Sequence, residues 1–533
     1  MTSVAPVGEG RTAEGGVLSH RQILVVFVGL MLGMLLAALD QTIVSTALPT
    51  IVGELGGLDH LSWVVTAYLL TSTAATPMFG KISDLYGRKR LFQFAIAAFL
   101  VASALAGLAQ NMGQLIAFRA LQGIGGGGLI AMAQVIIGDV VSPRERGRYM
   151  GYIGAVFAVA SVAGPLAGGF FVDHLSWRWV FYINLPFGLL ALVVTNSVLN
   201  LPFRRVEHSI DYLGAVLLVG GITCVVLITT WGGTEFAWGS SVIVSLAVVG
   251  AATLVGFVLQ ERRSSEPILP LRLFRARIFN VSSSVGFIVG LTMFGAIVFL
   301  PVFLQVVVGA SATNSGLLTL PLILGLLVTS VATGRAITAL GRYRVFPIAG
   351  TAVMGLGMYL LSLMDSTTSR TTASLYMLVL GAGIGLVMQV LVLAVQNSVE
   401  HRDLGIATSS VTLFRSLGGA FGTSIFGAIL ASRLTFYLPR LVPGFSSVGV
   451  DAGVLKGSPA QIRALPPAVR DGVIEAFARS IHVVFLWTLP LIALAFVLTL
   501  LMRELPLKES AHVGNPLLDE DAGFQAQAPA PER

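Results

Sequence analysis

The sequence predicts an all-α, polytopic membrane protein: two six-helix bundles with two further helices inserted between them, fourteen spans in all. Three observations predict it. Of the 533 residues 55% are hydrophobic and only 11% charged, with a mean hydropathy of +0.86; soluble domains carry about 25% charged residues. The apolar residues fall into roughly fourteen runs long enough, at about 20 residues, to cross a bilayer. Two stretches of the first half return in the second half at nearly one offset.

The runs centre near residues 33, 70, 100, 126, 160, 189, 221, 250, 290, 325, 354, 384, 418 and 491. Residues 1–20 are polar, and the run Ile23–Leu39 is longer than a signal-peptide core, so it reads as an uncleaved first span. An even number of spans puts both termini on one side. Basic loops set that side as cytoplasmic. They hold Arg21, then Lys81, Arg88, Lys89 and Arg90, then Arg144, Arg146 and Arg148, then Arg204 and Arg205. Later ones hold Arg262, Arg263, Arg272, Arg275 and Arg277, then Arg335, Arg342 and Arg344. Outer loops hold Arg178 and Arg370. The alternation fails only at the long outer segment 433–480, with six basic residues, and long loops translocate largely regardless of charge.

That segment contains "PAVRDGVIEAFARSI" and is expected to form two short surface helices. They would serve as a lid or a docking surface for a partner, or the segment is a solvated linker. The stretch after Glu504 is rich in Ala, Pro and acids and reads as disordered. The expected plan is a cytoplasmic tail (1–21), a first bundle (22–200), inserted helices and linkers (201–276), a second bundle (277–503) and a disordered cytoplasmic tail (504–533). The chain is expected to be a monomer in the plasma or inner membrane, in contact with lipid.

Composition excludes several classes. The formal charge of +7 lies in short loops between apolar runs, which orientation requires, and no basic face interleaved with aromatics points to nucleic acid. Cys224 is the single cysteine, sits in an apolar run and reads as core packing. No Cys/His cluster has metal-ligand spacing, no P-loop implies ATP, and no Ser/His/Asp array implies hydrolysis. "GIGGGG" fits a dinucleotide pattern, but no strand precedes it and it lies within a span. No cofactor is expected.

The repeat is specific. "GKISDLYGRKR" (80–90) returns as "GRAITALGRYR" (334–344), matching Gly80/Gly334, Gly87/Gly341, Arg88/Arg342 and Arg90/Arg344 at an offset of 254. "GIGGGGLIAMAQVIIGDVVSPRERG" returns as "GAGIGLVMQVLVLAVQNSVEHRDLG" at an offset of 258, matching Gly123/Gly381, Gly125/Gly383, Gly127/Gly385 and Gly147/Gly405. Halves repeated in one orientation are a known transporter plan, with substrate bound between them at mid-membrane.

Ionisable residues inside spans are functional candidates by default, since each costs about 2.5–3.5 kcal/mol on insertion scales. Asp40, Arg119 and Arg415 are the three. Burial opposes ionisation of a carboxyl and a nearby cation favours it, so Asp40 poised between the two could exchange a proton. The alternative is an inert, paired residue at a helix end. Arg119 stays charged and could hold that carboxylate or be a structural tie; Gln122 could join by hydrogen bonding. Arg415 lies about two turns into its expected span, could snorkel, and is given no coupling role.

Four stretches in order carry a resemblance: "LDQTIVSTALP" (39–49), "GKISDLYGRKR" (80–90), "RALQGIGGGG" (119–128) and "GPLAGG" (164–169). With them the chain resembles the major facilitator superfamily, and within it the fourteen-helix drug:proton antiporters of the QacA/EmrB type, over residues 22–503. The resemblance implies a major-facilitator fold and proton-driven export of drugs or other amphipathic or cationic compounds by alternating access. The alternative is export of a lipid or secondary metabolite on the same scaffold. It also implies coupling through Asp40, Arg119 and Gln122. Gly80, Asp84, Gly87, Arg88 and Arg90 would form an inner-side latch, with Asp84 paired to Arg88 and to the start of a helix beginning near Asp403. Plain topology is the competing reading of that loop, although topology needs no aspartate. Gly164, Pro165, Gly168 and Gly169 would make a bent, smooth antiporter helix sealing the interface between halves; generic glycine packing is the alternative. Two departures matter: Ala160 stands where the antiporter motif has glycine, and Thr338 stands where the second loop copy would repeat Asp84. Met34, Met293, Phe294, Phe299, Met388 and Gln389 are candidate cavity-wall residues, for which ordinary packing is the competing reading.

Overall fold

The computed structural model describes residues 20–55, 61–141, 143–199, 211–233, 236–264, 267–310, 312–400, 403–442, 462 and 465–507. The described chain is helical almost throughout. The first bundle is α1 (His20–Leu55), α2 (Leu61–Tyr86), α3 (Arg88–Gly107), α4 (Met112–Val140), α5 (Pro143–His174), the short α6 (Trp179–Tyr182) and α7 (Asn184–Val198). The inserted pair is α8 (Tyr212–Trp231) and α9 (Ser241–Glu261). The second bundle is α10 (Arg277–Val302), α11 (Ala312–Leu318), α12 (Leu320–Leu340), α13 (Val345–Ser362), α14 (Arg370–Ser398), α15 (Leu404–Leu441) and α16 (Pro467–Leu500). Among the described residues, thirteen helices are long and apolar enough to cross a membrane. The fourteenth expected span is α2, whose Thr66, Thr71, Thr73 and Thr76 hold its hydropathy down. Every expected run centre falls within a helix.

Local chemistry sets several helix starts. Asn111, Asp211, Ser240 and Ser369 each accept a hydrogen bond from the backbone N–H three residues on, satisfying an otherwise orphaned donor. The repeated loop ends each copy on a left-handed glycine, Gly87 at φ 94° and Gly341 at φ 69°, a conformation that side chains resist. The charge-poor α9 leaves Val244, Val248, Val249 and Val255 exposed on its outer surface, as a lipid-facing helix does. Cys224 is buried where α8 meets Gly250 of α9, in keeping with core packing.

In the first bundle α4 packs on α2 and α3, and α1 packs on α5 and α7. In the second, α14 packs on α12 and α13, and α10 packs on α15. Two seams join the bundles, α5 against α12 and α2 against α15. At these seams the sequence repeat becomes a spatial one. A Cβ on Gly80 would sit 2.9 Å from the carbonyl oxygen of Gly405, and a Cβ on Gly334 would overlap that of Gly147. Gly80 and Gly334 are repeat mates, as are Gly405 and Gly147. The two contacts therefore exchange under an approximate twofold relation, as isologous contacts do.

Two expectations are corrected. The stretch "PAVRDGVIEAFARSI" is not a separate surface helix but the first four turns of α16. Val469, Val473, Ala476 and Phe477 bury its apolar face, and Ser366 donates to Glu475, tying it to the α13–α14 turn. α15 likewise continues to Leu441, so helix replaces both ends of the supposed loop; residues 443–461 lie outside the described residues. The C-terminal tail begins later than Glu504. Glu504 Oε1 accepts from the Tyr343 amide at 2.9 Å, Leu505 N–H donates to the Tyr343 hydroxyl at 3.1 Å, and Leu507 is buried. Residues 508–533, like 1–19, lie outside the described residues.

Candidate functional site

Asp40 is residue 21 of the 36-residue α1, so it lies mid-helix rather than at a helix end. α4 brings Arg119 to it. The Arg119 guanidinium donates to Asp40 Oδ2 at 2.5 Å and to Gln122 Oε1 at 2.6 Å, and Gln122 Nε2 donates to Asp40 Oδ1 at 2.8 Å. Arg119 and Gln122, three residues apart, share a helix face, which is why one α4 supplies both. Asp40, Arg119 and Gln122 are buried to within 2% of full enclosure. All three residues expected at the coupling site thus meet.

Three more residues complete the cluster. Asn184, at the start of α7, donates to Asp40 Oδ1 at 3.0 Å and to Ser103 Oγ at 3.2 Å; Ser103 also accepts from Gln122 at 2.7 Å. The Tyr68 ring lies under the guanidinium, 4.3 Å from its carbon, a cation–π distance. An Asn and a Ser inside apolar runs were the sequence signal for two of them, weaker than a charge and easily passed over. A buried ion pair persists only when further hydrogen bonds satisfy both partners, and this cluster supplies them.

The glycine motif of α5 packs elsewhere than expected. Cβ atoms on Gly164 and Gly168 would strike Thr42 and Ile43 of α1, two and three residues past Asp40, while Gly169 has open space beside it. Pro165 lies within α5, and Thr42 Oγ1 donates to the Ala160 carbonyl at 2.9 Å. These glycines bring α5 against the Asp40 helix inside one bundle. The α5 glycines that meet the other bundle are Gly147, Gly151 and Gly154, against Gly334, Ser330 and Leu326 of α12.

The loop residues gather at the arginine-rich end. Gly80 lies against Gly405 and Ser409 at the start of α15, next to its N-cap Asp403, which pairs with Arg272 at 2.7 Å. Arg88 Nε donates to Asp139 Oδ2 of α4 at 2.7 Å, a partner not singled out from sequence, and its guanidinium also reaches Ser83. Arg90 is exposed; the Asp84 side chain lies outside the described residues. The seam closes further here. Gln396 of α14 accepts from Arg146 at 3.1 Å and donates to the Gln134 carbonyl and Thr408 Oγ1, each at 3.1 Å. Thr412 of α15 donates to Gln134 Oε1 of α4 at 3.0 Å. In this conformation the bundles are bonded together at the arginine-rich end.

The cavity-wall candidates divide. Met34, Met293 and Phe299 are core residues, and Phe294 and Met388 are partly buried against the same core. Met293 is 8% exposed, and Phe294 packs where a Cβ on Gly419 would sit. Gln389 is buried with both amide atoms unpartnered, in a crevice shared with Gly147, Gly151 and Thr333.

Comparison with known proteins agrees with this architecture. The profile of the Major Facilitator Superfamily matches residues 30–423. The uncharacterized MFS-type transporter Rv1877 of Mycobacterium tuberculosis is 44% identical over 97% of this chain and 75% of its own. The multidrug transporter protein MdtP of Bacillus subtilis is 38% identical over 93% of this chain and 96% of its own. The solved proton:xylose symporter XylE superposes with a TM-score of 0.60 at 14% identity, covering 91% of this chain and 97% of that one.

Proposed function

Because this chain belongs to the Major Facilitator Superfamily and is a membrane transporter akin to multidrug efflux proteins, we propose that it is a proton-coupled antiporter that exports amphipathic compounds by alternating access. The observation that supports this reading is the Asp40–Arg119 pair, a buried acid bonded to one cation and to donors from Gln122 and Asn184. Protonation of Asp40 removes the charge that these donors serve, so the cluster has two arrangements. A cluster with two arrangements, placed where α1, α4 and α7 meet, can bias the packing of the whole first bundle.

The arginine-rich end faces the cytoplasm, by the distribution of basic loops. The conformation described is then closed to the cytoplasm, through Gly80–Gly405, Gly147–Gly334 and the Gln134–Gln396–Thr412 bonds. Loading of substrate requires those seams to part. The Gly80–Arg90 loop acts as the latch through its seat on α15. The α5 glycines Gly164 and Gly168 transmit rather than seal: they couple α5, which carries the seam, to α1, which carries Asp40. A proton gradient supplies about 1.4 kcal/mol per pH unit, and the membrane potential about 2.3 kcal/mol per charge per 100 mV.

The test is efflux from proteoliposomes loaded with a panel of amphipathic dyes of both charge signs. An imposed pH gradient is expected to accelerate release of at least one dye, and a protonophore to stop it. A panel in which no dye responds to the gradient would remove antiport.

A further inference from the structure

Arg415 takes no part in the cluster around Asp40 or in the seams. It is the twelfth residue of α15, about 16 Å along the helix from its start and so at mid-membrane depth. It is only 8% exposed, yet among the described residues no acid pairs with it and nothing accepts a hydrogen bond from it. α10 and α12–α15 contain no Asp or Glu at all. The one mid-span acid of the first bundle, Asp40, is consumed by Arg119. Among the described residues, Arg415 is thus a buried positive charge with neither an acid nor an acceptor beside it.

Its neighbours favour an anion as well. Thr408, Thr412 and Arg415 fall on one face of α15 by helical spacing, and this face looks across to α4, since Thr412 bonds Gln134. Gln134 spends its Oε1 on Thr412, and its Nε2 is buried with no partner, a second unmet donor one turn below Arg415. One turn above, Gly419 lets the Phe294 ring of α10 lie against α15, next to Met293. A buried charge or donor is retained only when something pairs with it. Two donors without acceptors beside an aromatic wall suit an anion with an apolar body.

We propose that Arg415, with Gln134 Nε2 below it and Phe294 above it, forms the head-group site for an anionic amphiphile where α15 meets α4 and α10. The ligand carries a carboxylate, sulfate or phosphate head on an apolar chain. This deepens the exporter reading and rests on it for the direction of travel. The binding itself needs no gradient, so the two can fail separately: loss of charge preference leaves antiport standing, and failure of gradient-driven efflux leaves the site standing.

The experiment is scintillation-proximity binding of radiolabelled decanoate to the full chain in phosphatidylcholine nanodiscs, with decanol and decyltrimethylammonium as competitors. The wild type is expected to prefer decanoate to either competitor by at least tenfold. R415Q is expected to weaken decanoate at least tenfold and leave decanol within twofold, whereas R415K keeps decanoate within about fivefold. Should R415Q not fold, the wild-type ligand series and R415K still decide. Equal or tighter binding of decyltrimethylammonium by the wild type, or an R415Q protein that still prefers decanoate, would overturn the proposal. Adding phosphatidylglycerol to the nanodiscs separates the sources: displacement of decanoate points to a lipid head group, and no displacement points to a soluble amphiphile.

Discussion

Asp40 is tied to two side chains besides Arg119, so its replacement has two separable effects. Asp40→Asn keeps the shape but leaves the Arg119 charge buried without its anion. Breaking a buried pair from one side costs about 3–5 kcal/mol. The variant is expected to insert, to melt lower than the wild type in detergent, and to show no proton-driven export; full export by this variant would remove Asp40 from coupling. Asn184→Ala deletes one donor to a charged acceptor, worth about 1.5–3 kcal/mol. It should lower thermal stability by a smaller step and slow export without abolishing it, as measured by melting and by dye efflux from the same preparation. Asp40 and Arg119 were visible in the sequence because a charge inside an apolar run has no cheap explanation. Asn184, Ser103 and Tyr68 were not, because a neutral polar group inside a helix can bond its own backbone and needs no distant partner.

At the level of the helices, glycine decides which surfaces meet. Gly334 of α12 has no room for a side chain beside the Gly147 carbonyl of α5. Gly334→Leu is expected to wedge the arginine-rich end apart while the protein still inserts. Spin labels placed at the exposed Arg148 and Arg342, with Cys224 replaced by serine, should move apart relative to the unwedged protein. Unchanged label separation would mean that this seam does not set the closed state. The inserted α8 deserves comparison with these helices, since it lies along α2 of the first bundle and α15 of the second, with Trp231 edge-on to Trp63 at 4.8 Å. It therefore straddles the α2–α15 seam from outside. Helix existence and order were legible from hydropathy alone. Which glycines face which helix was not: "GPLAGG" reads as an interface between halves, whereas Gly164 and Gly168 pack on α1 of their own bundle.

The whole molecule is a pair of related bundles, bonded at one end and carrying, among the described residues, the fully buried Asp40–Arg119 pair and a buried Arg415 without an acid partner. If a single proton enters for each exported monoanion, two positive charges move inward per cycle. A potential of 100 mV, negative inside, then adds about 4.6 kcal/mol of driving force, at about 2.3 kcal/mol per charge. For a monovalent cation the same exchange is electroneutral. Valinomycin-imposed potentials in proteoliposomes are therefore expected to accelerate efflux of an anionic dye and leave that of a cationic dye unchanged. Equal response of both dyes would rule out this charge balance.

Hydropathy, basic-loop placement and the repeats at offsets 254 and 258 determined the class of protein, the number of spans and the relation between halves. These are local or periodic properties, written residue by residue along the chain. Only the tertiary structure decided that Asp40 and Arg119, 79 residues apart, share a bond, that Arg88 goes to Asp139, and that no acid among the described residues reaches Arg415. It also decided that the supposed outer helix is the beginning of α16. Such facts depend on which faces of distant helices come together. In a chain apolar on nearly every face, hydropathy does not choose among those pairings; close approach at glycine and the few buried polar bonds do.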